Sequence, residues 1–482
     1  MGVTALHTFI KKHYHGAYIP IINNNIYEYI YLDMNFILHN SMYGSKNEKE
    51  FINKLYMHLN VIFSNFIGTK QIYFALDGPS SYAKIILQRK RRADASIKTN
   101  KSIISSLHIT PGTNEIKKIE QHLINYINKL KTRYRFVNPE TIISLSSEHD
   151  EGEVKICKKV IENGLNNLDH KHLIIGNDSD LIVLSMGMLP IYNINILVKN
   201  KGANELISFS KLLYLHSKQI DREDTILNLA KNDLRNDFVI ISIMMGNDYL
   251  PKIGYINYEN LWKIYNKLIK AIDSETNEKT LVKNNTIDLE IGRKLMYNIY
   301  NSLPDGFKKI SINSYNEDRC KSYLEGLIWC LNMYNTGKCP KYDYMYQGKT
   351  SPHPYELLFY LCGEKDKINL IHTDSEPIPS AIYPLIVLPK KESHLIPKKY
   401  HKLMNKELKY LYEIEDCNIC FKSRNGFKEI NKQIKNESDD DKINDLKNKY
   451  KKEMSNYLTH KKTHKVFNIN DIEYILKVSN NI

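Results

Sequence analysis

The sequence predicts an α/β fold: a mostly parallel central sheet flanked by helices, with a second, smaller Tyr-rich region packed on it. Three observations lead there. Short apolar runs read as buried strands, and long helical patterns separate them. Acidic residues fall at the ends of those runs rather than within them, where ligands of such folds bind.

The elements follow in order. Tyr27–Asp33 is rich in Tyr and Ile and ends on an acid. Glu50–Phe66 carries a helical pattern. Gln71–Asp77 repeats the apolar-run-then-acid arrangement. Asn114–Tyr134 reads as a long helix, and DEGEVKICKKVIENG as a helix beginning near Gly152. His172–Gly176 is a third buried strand, and Asn193–Val198 a candidate fourth. From about Lys321 the character changes to Tyr-rich segments without the acidic pattern. Residues Phe427–Leu458 read as a charged, solvated helix or helical hairpin interrupted near Asn436–Asp441. The expected organisation is 1–310, 311–405 and a charged helical 406–482.

Composition sets bounds. The chain has 482 residues, 42% of them hydrophobic, enough for a substantial core. Its formal charge is +14, which suits a polyanionic partner, although abundant Lys, Asn, Ile and Tyr also fit an AT-rich genome. Seven cysteines, an odd number and mostly isolated, argue against a disulfide framework and for a reducing compartment. No apolar stretch approaches a membrane span, so no membrane partner is expected. A monomer is the expected state.

Seven acids form five short clusters at the ends of apolar runs: Asp33, Asp77, Glu151 with Glu153, Asp178 with Asp180, and Asp248. One such pair is commonly a helix cap or solvated turn. Five together imply convergence on one sheet edge, which is costly unless hard cations neutralise it. Two Mg²⁺ or Mn²⁺ ions would clamp a phosphodiester for attack by water. Gly152, between two acids, leaves room for carboxylates to crowd.

The run AKIILQRKRR places Lys84, Gln88, Arg91 and Arg92 at helical spacing on one face. An ammonium, an amide and two guanidiniums make an anion pocket, although a solvated basic helix gives the same pattern. A pocket for a terminal phosphate beside metals would fix the cut at a set distance from a 5′ end.

In order, MGV, LDMNFILH, ALDGPSSYAKIILQRKRR, DEGEVKI, GNDSDLIVL and DFVIISIMMGNDYLP resemble the motifs of the XRN family of 5′-to-3′ exoribonucleases. YLEGLIWCLNMYNTGKCPKYDYMY and AIYPLIVLPKKESHLIPKKYHKLM resemble its second region, so the likeness reaches roughly residue 405. It implies a 5′-nuclease (PIN-like) fold, the seven acids as metal ligands, and the basic quartet as the pocket for a 5′-monophosphate. It also implies that His39 stacks on the terminal base. Where the family places a Trp opposite that histidine, this chain offers Tyr342 and Tyr344, and a Tyr ring can stack on a base; Trp329 reads as core. The implied activity is processive hydrolysis of single-stranded 5′-monophosphorylated RNA to nucleoside 5′-monophosphates. The expected setting is mRNA decay after a decapping enzyme, in the cytoplasm with the nucleus as the alternative. A large DNA virus or AT-rich microbe suits the composition. The long carboxy-terminal extension of large family members has no counterpart, so a reduced catalytic module is expected.

Two rivals remain in view. A flap-type structure-specific DNA nuclease shares the acids, but GNDYLPKIGYINYENLWKIY lacks the Gly-rich helix-two-turn-helix pattern. An inactive RNA-binding scaffold would be expected to have lost acids. Finally, Cys417 with Cys420 and His460 with His464 have zinc-ligand spacing within each pair, but 39 residues separate the pairs. A structural zinc is expected only if the intervening hairpin closes.

Overall fold

A computed structural model describes residues 6–22, 25–98, 104–133, 138–176, 179–200, 203–222, 224–272, 279–308, 315–364, 368, 374–412, 417–437, 439–461 and 464–480. Asp178 lies outside the described residues.

The centre is a seven-stranded sheet. Its strands are β1 (Tyr18–Ile19), β2 (Asn25–Asp33), β3 (Phe66–Ala75), β4 (Glu140–Ser144), β5 (His172–Ile175), β6 (Ile194–Asn200) and β7 (Ala203–Ser208). Their spatial order is β1-β7-β6-β5-β2-β3-β4. The five strands from β6 to β4 are parallel, and β7 and β1 close one edge antiparallel. The parallel core follows from helical crossovers between strands. The antiparallel edge has no counterpart in the sequence reading.

Alternation along β2 explains the layers. Tyr29 and Tyr31 point into one apolar cluster, Ile30 and Leu32 into the other. The first cluster joins the helices Gly152–Gly164, Asp180–Gly187 and Leu234–Ile243 to the sheet. The second covers the opposite face with Met34–Met42, Glu48–Asn65 and Asn114–Arg133. Both faces of the sheet are therefore buried, as a parallel sheet requires.

The Tyr-rich helix Glu317–Thr336 packs into the first cluster, with Trp329, Tyr323 and Tyr334 fully or almost fully buried. A third cluster unites residues Ile378–Tyr412 with Ile472 and Ile475 of the terminal helix, and includes Tyr82 and Ile85. Tyr82 opens the helix Tyr82–Lys98, which carries the basic quartet. The third cluster is thus the floor under that helix. Beyond it, Asn418–Asn436 and Asp440–Lys461 form the expected charged helical hairpin.

Candidate active site

The acids gather because four adjacent parallel strands, β5-β2-β3-β4, end on the same edge. Neighbouring strands lie about 4.8 Å apart, so residues just past their ends crowd. Asp33 is the last residue of β2 and accepts from the Phe36 amide, 3.3 Å away, as the cap of the helix that follows. Asp77 lies two residues past β3. Asn35 holds it twice: its Nδ2 donates to Asp77 Oδ2 at 2.5 Å, and its Oδ1 accepts from the Asp77 amide at 3.2 Å.

Glu151 caps and Glu153 enters the helix that begins at Gly152. The Gly152 amide donates to Asp77 Oδ1 at 2.7 Å. A Cβ on Gly152 would stand 3.2 Å from that same oxygen, so glycine suits the approach. Gly78 is stricter, since its Cβ would come 1.7 Å from the Glu148 carbonyl oxygen. Asp180 begins a helix after β5 and is buried. A Cβ on Gly176 would lie 3.6 Å from Asp33 Oδ2, which places the end of β5 beside β2. The sheet order reverses between these two strands, where open α/β sheets bind ligands.

The basic helix meets this edge directly. Lys84 Nζ is hydrogen-bonded to Glu151 Oε1 and lies 2.9 Å from Asp248 Oδ2. Arg91 donates to Asp248 Oδ1 at 2.8 Å. Burial raises the Asp248 pKa, but Lys84 and Arg91 outweigh it and hold the carboxyl at about 2. Burial pushes Glu151 up, against Lys84. Burial also works against the Lys84 charge, yet Glu151 and Asp248 hold it well above the ordinary lysine range. Arg92 Nε donates to Thr110 Oγ1 at 2.9 Å. Gln88 is 8% exposed and its Oε1 has no hydrogen-bond partner, an orphan that a bound group would satisfy. Lys84 and Arg91 of the expected phosphate pocket therefore form one network with Glu151 and Asp248.

The donor set suits a hard cation. Glu151 and Asp248 are paired with Lys84 and Arg91, and every acidic donor of the six described carboxylates is an oxygen, the type a hard cation takes.

His39 sits on the helix following Asp33 with its side chain exposed. Partial desolvation, then the Arg92 charge, lowers its pKa, while Asp77 opposes them. His39 is thus electrostatically part of the same edge. The two tyrosines part company. Tyr342 is half-buried and donates to both carboxylate oxygens of Asp150, at 3.0 and 3.1 Å, with its ring edge-on to His149. Its carbonyl accepts from the Tyr82 amide at 2.9 Å, tying it to the start of the basic helix. Tyr344 does not reach the edge: it is 7% exposed, stacks on Trp329 at 5.1 Å and donates to the Ser322 carbonyl. It has no open face for a base, which corrects the expectation for that residue. Trp329 is core, as its position suggested.

The structure adds residues that the sequence reading passed over. Tyr249 donates to Glu151 Oε2 at 2.6 Å and places its ring 5.5 Å from Lys84 Nζ. Lys155 donates to the carbonyls of Leu76 and Leu145, both at 2.9 Å, bridging the loops after β3 and β4. Burial lowers its pKa to about 8. Tyr383 reaches the base of the pocket and lies 3.1 Å from the Ser80 hydroxyl. Asn35 and Tyr249 stand two and one residues after Asp33 and Asp248, so adjacency to an acid was the available signal.

Away from this edge, the hairpin does close. The ligand atoms of Cys417, Cys420, His460 and His464 all lie within 4.8 Å of one another. The Cys420 amide and then His460 lower the Cys417 thiol to about 6.

Residues 1–199 match the family model described as the XRN 5′-3′ exonuclease N-terminus. The 5′-3′ exoribonuclease 1 of Schizosaccharomyces pombe is 24% identical over 337 residues, covering 60% of this chain and 25% of that protein. The 5′-3′ exoribonuclease 2 homolog of Caenorhabditis elegans is 29% identical over 202 residues, covering 35% of this chain and 21% of that protein. A protein of Acanthamoeba polyphaga mimivirus that carries a 5′-3′ exonuclease name is 29% identical over 181 residues, covering 33% and 28%. The chain spans about a quarter of the length of the curated relatives it matches. Among solved structures, the catalytic core of Rad2 in complex with DNA substrate aligns with a TM-score of 0.34 at 12% identity, covering 72% of this chain and 91% of that one.

Proposed function

We propose that this chain, whose residues 1–199 match the XRN 5′-3′ exonuclease N-terminus, is a member of that family and hydrolyses 5′-monophosphorylated RNA from the 5′ end, releasing nucleoside 5′-monophosphates. One observation carries the reading. The cations that would hold a terminal phosphate, Lys84 and Arg91, lie against the acids Glu151 and Asp248. A phosphate held there sets the first linkage beside the acid edge, so the cut falls one nucleotide from the end.

In this reading the terminal phosphate takes contacts from Lys84, Arg91, Arg92 and Gln88, and charge-assisted forks favour its dianion. His39 and Tyr342 flank the first nucleotide. Asp33, Asp77, Glu151, Glu153, Asp178, Asp180 and Asp248 would hold two divalent ions, Mg²⁺ or Mn²⁺. Such ions supply a nucleophilic hydroxide and neutralise charge on the leaving oxygen. Asn35, the Gly152 amide and Tyr249 fix the orientation of Asp77 and Glu151, so those carboxylates need no reorganisation during the reaction. In this reading a cap or triphosphate would overfill the pocket, and the enzyme would act after decapping, in mRNA decay. Cytoplasmic action as a monomer, and a viral source, belong to the same proposal.

The test is degradation of one end-labelled RNA bearing 5′-monophosphate, 5′-hydroxyl or 5′-triphosphate, with Mg²⁺ or EDTA, beside a matched DNA flap. Mononucleotide release from the monophosphate RNA alone, blocked by EDTA, is the expected result. Preferential cutting of the flap would move the chain to structure-specific DNA cleavage. RNA binding without cleavage of either substrate would make it a scaffold.

A further inference from the structure

The hairpin Asn418–Asn436 and Asp440–Lys461 has little core of its own. Among its described residues only Cys420, Phe427 and Ile430 are buried hydrophobics. Phe427 meets Tyr450 and Tyr457 at 5.3 and 5.5 Å. Two helices with so small a core are marginal alone and need a staple. The candidate staple sits at the root. Cys417 caps the first helix and Cys420 lies in its first turn, while His460 stands in the last turn of the second helix and His464 follows it. Antiparallel packing brings the two ends together across the long sequence gap.

The geometry has the dimensions of a tetrahedral centre. Cys417 Sγ lies 3.2 Å from His460 Nε2, and Cys420 Sγ lies 3.5 Å from His464 Nε2. The two imidazoles are perpendicular, with centroids 5.2 Å apart. Zinc with sulfur and nitrogen bonds of about 2.3 and 2.0 Å places its ligands about 3.3–3.8 Å apart. Neither cysteine is in a disulfide. Two thiolates and two imidazoles favour zinc over Mg²⁺ or Ca²⁺, and four protein ligands leave no open position for catalysis.

We propose that Cys417, Cys420, His460 and His464 bind one structural Zn²⁺ that pins the hairpin where it leaves and rejoins the body. On one side Leu411 and Tyr412 are buried in the third cluster. On the other, Lys465 pairs with Asp471 at 2.7 Å, and Phe467 lies 4.3 Å from the Arg89 guanidinium. Arg89 belongs to the basic helix and also donates to the carbonyls of Ile386 and Leu411. The pinned root therefore abuts the outer side of the helix that carries the phosphate pocket. The zinc site stands independently of the nuclease reading.

The experiment is metal analysis of the full chain, as purified, against Cys420→Ser, His464→Ala and Asp77→Asn. One zinc per chain is expected in the unaltered protein and in Asp77→Asn. At least a tenfold lower content is expected in the other two, with protease cleavage shifting into residues 418–461. Loading with Co²⁺ gives a second readout that needs no variant: the intense visible absorption and sulfur charge transfer of a tetrahedral thiolate site. Absence of zinc from protein supplied with it would overturn the proposal. So would zinc content unmoved by Cys420→Ser and His464→Ala, or loss confined to Asp77→Asn. A weakly absorbing, six-coordinate Co²⁺ form without sulfur charge transfer would do the same.

Discussion

The acid edge and the hairpin root are two clusters of metal-type donors built in opposite ways. The acid edge draws its side chains from β2, from the loops after β3 and β4, from the helix after β5 and from Asp248, more than 200 residues apart in sequence. The parallel register of the sheet brings the first of these together, and the packing of the helix Leu234–Ile243 brings Asp248. It is oxygen-rich, anionic, and threaded by the ammonium of Lys84. The hairpin root is made by one antiparallel helix pair and needs nothing from the sheet. It is a sulfur and nitrogen set with four donors and no cationic side chain among them. The first arrangement leaves room for a substrate to share the charge. The second is complete in itself. The first is assembled on the hydrogen-bonded sheet, and the second on a helix pair that has little buried core of its own.

The largest expected effect breaks the comparison at the acid edge. Asp77→Asn keeps the shape and one of the two accepted hydrogen bonds, from Asn35 or Gly152, but turns the other oxygen into an amide donor and removes a charge. Its single-turnover rate on 5′-monophosphorylated RNA should fall by at least about 10³-fold, as losses of preorganised electrostatic groups do. Activity within tenfold of the unaltered protein would separate this edge from the chemistry.

Next comes the lysine buried among the acids. Lys84, Glu151 and Asp248 have side chains only 7, 8 and 10% exposed. Lys84→Met leaves two buried carboxylates without their ammonium and should cost about 3–5 kcal/mol in denaturant unfolding. Mg²⁺ should restore more stability to this variant than to the unaltered protein, because the ion takes over neutralisation. Equal stabilisation of both would mean that Lys84 and the ion do not share a site.

How much of this was legible in the sequence divides along the same line. The parallel core was readable because Tyr27–Asp33, Gln71–Asp77 and His172–Gly176 are apolar runs with one physical explanation, burial on both faces. The antiparallel β7 was not, because ANELIS has no periodicity that fixes its direction. Asp33 and Asp77 were readable as strand-end acids, since the ends of apolar runs are visible in sequence. Lys84 was readable as a pocket residue but not as the partner of Glu151 and Asp248. Spacing along one helix shows which residues share a face and not what that face meets. Tyr342 and Tyr344 illustrate the limit. They are two residues apart in one Tyr-rich stretch, yet one holds Asp150 and the other stacks on buried Trp329. At the hairpin the ligand types were legible and the closure was not, because a 39-residue gap reads as distance until two antiparallel helices fold it away.

Arg92→Ala is a smaller and more selective test. Arg92 is held by Thr110 and, among the described residues, makes no ion pair like those of Lys84 and Arg91 with the acids. Its loss should leave cleavage of 5′-hydroxyl RNA nearly unchanged. The preference for 5′-monophosphate over 5′-hydroxyl should drop about 10- to 100-fold, the value of one charge-assisted contact. A parallel fall on both ends would assign Arg92 to the acid network rather than to the phosphate.

The smallest effect sharpens the role of the Tyr-rich region. Tyr342→Phe keeps the ring and removes the hydroxyl that donates to Asp150, which stands at φ 74° in the loop leading to Glu151. Left-handed backbone is tolerated by Asp at some cost, so the loop depends on such side-chain contacts. Losing the hydroxyl should cost about 1 kcal/mol of stability and only a few-fold in rate. Tyr342→Ala removes the ring as well. If the ring bears on the first nucleotide, KM for monophosphate RNA should rise further in the alanine variant than in the phenylalanine one. If Tyr342 only braces the loop, the two variants should raise KM alike and differ in stability alone.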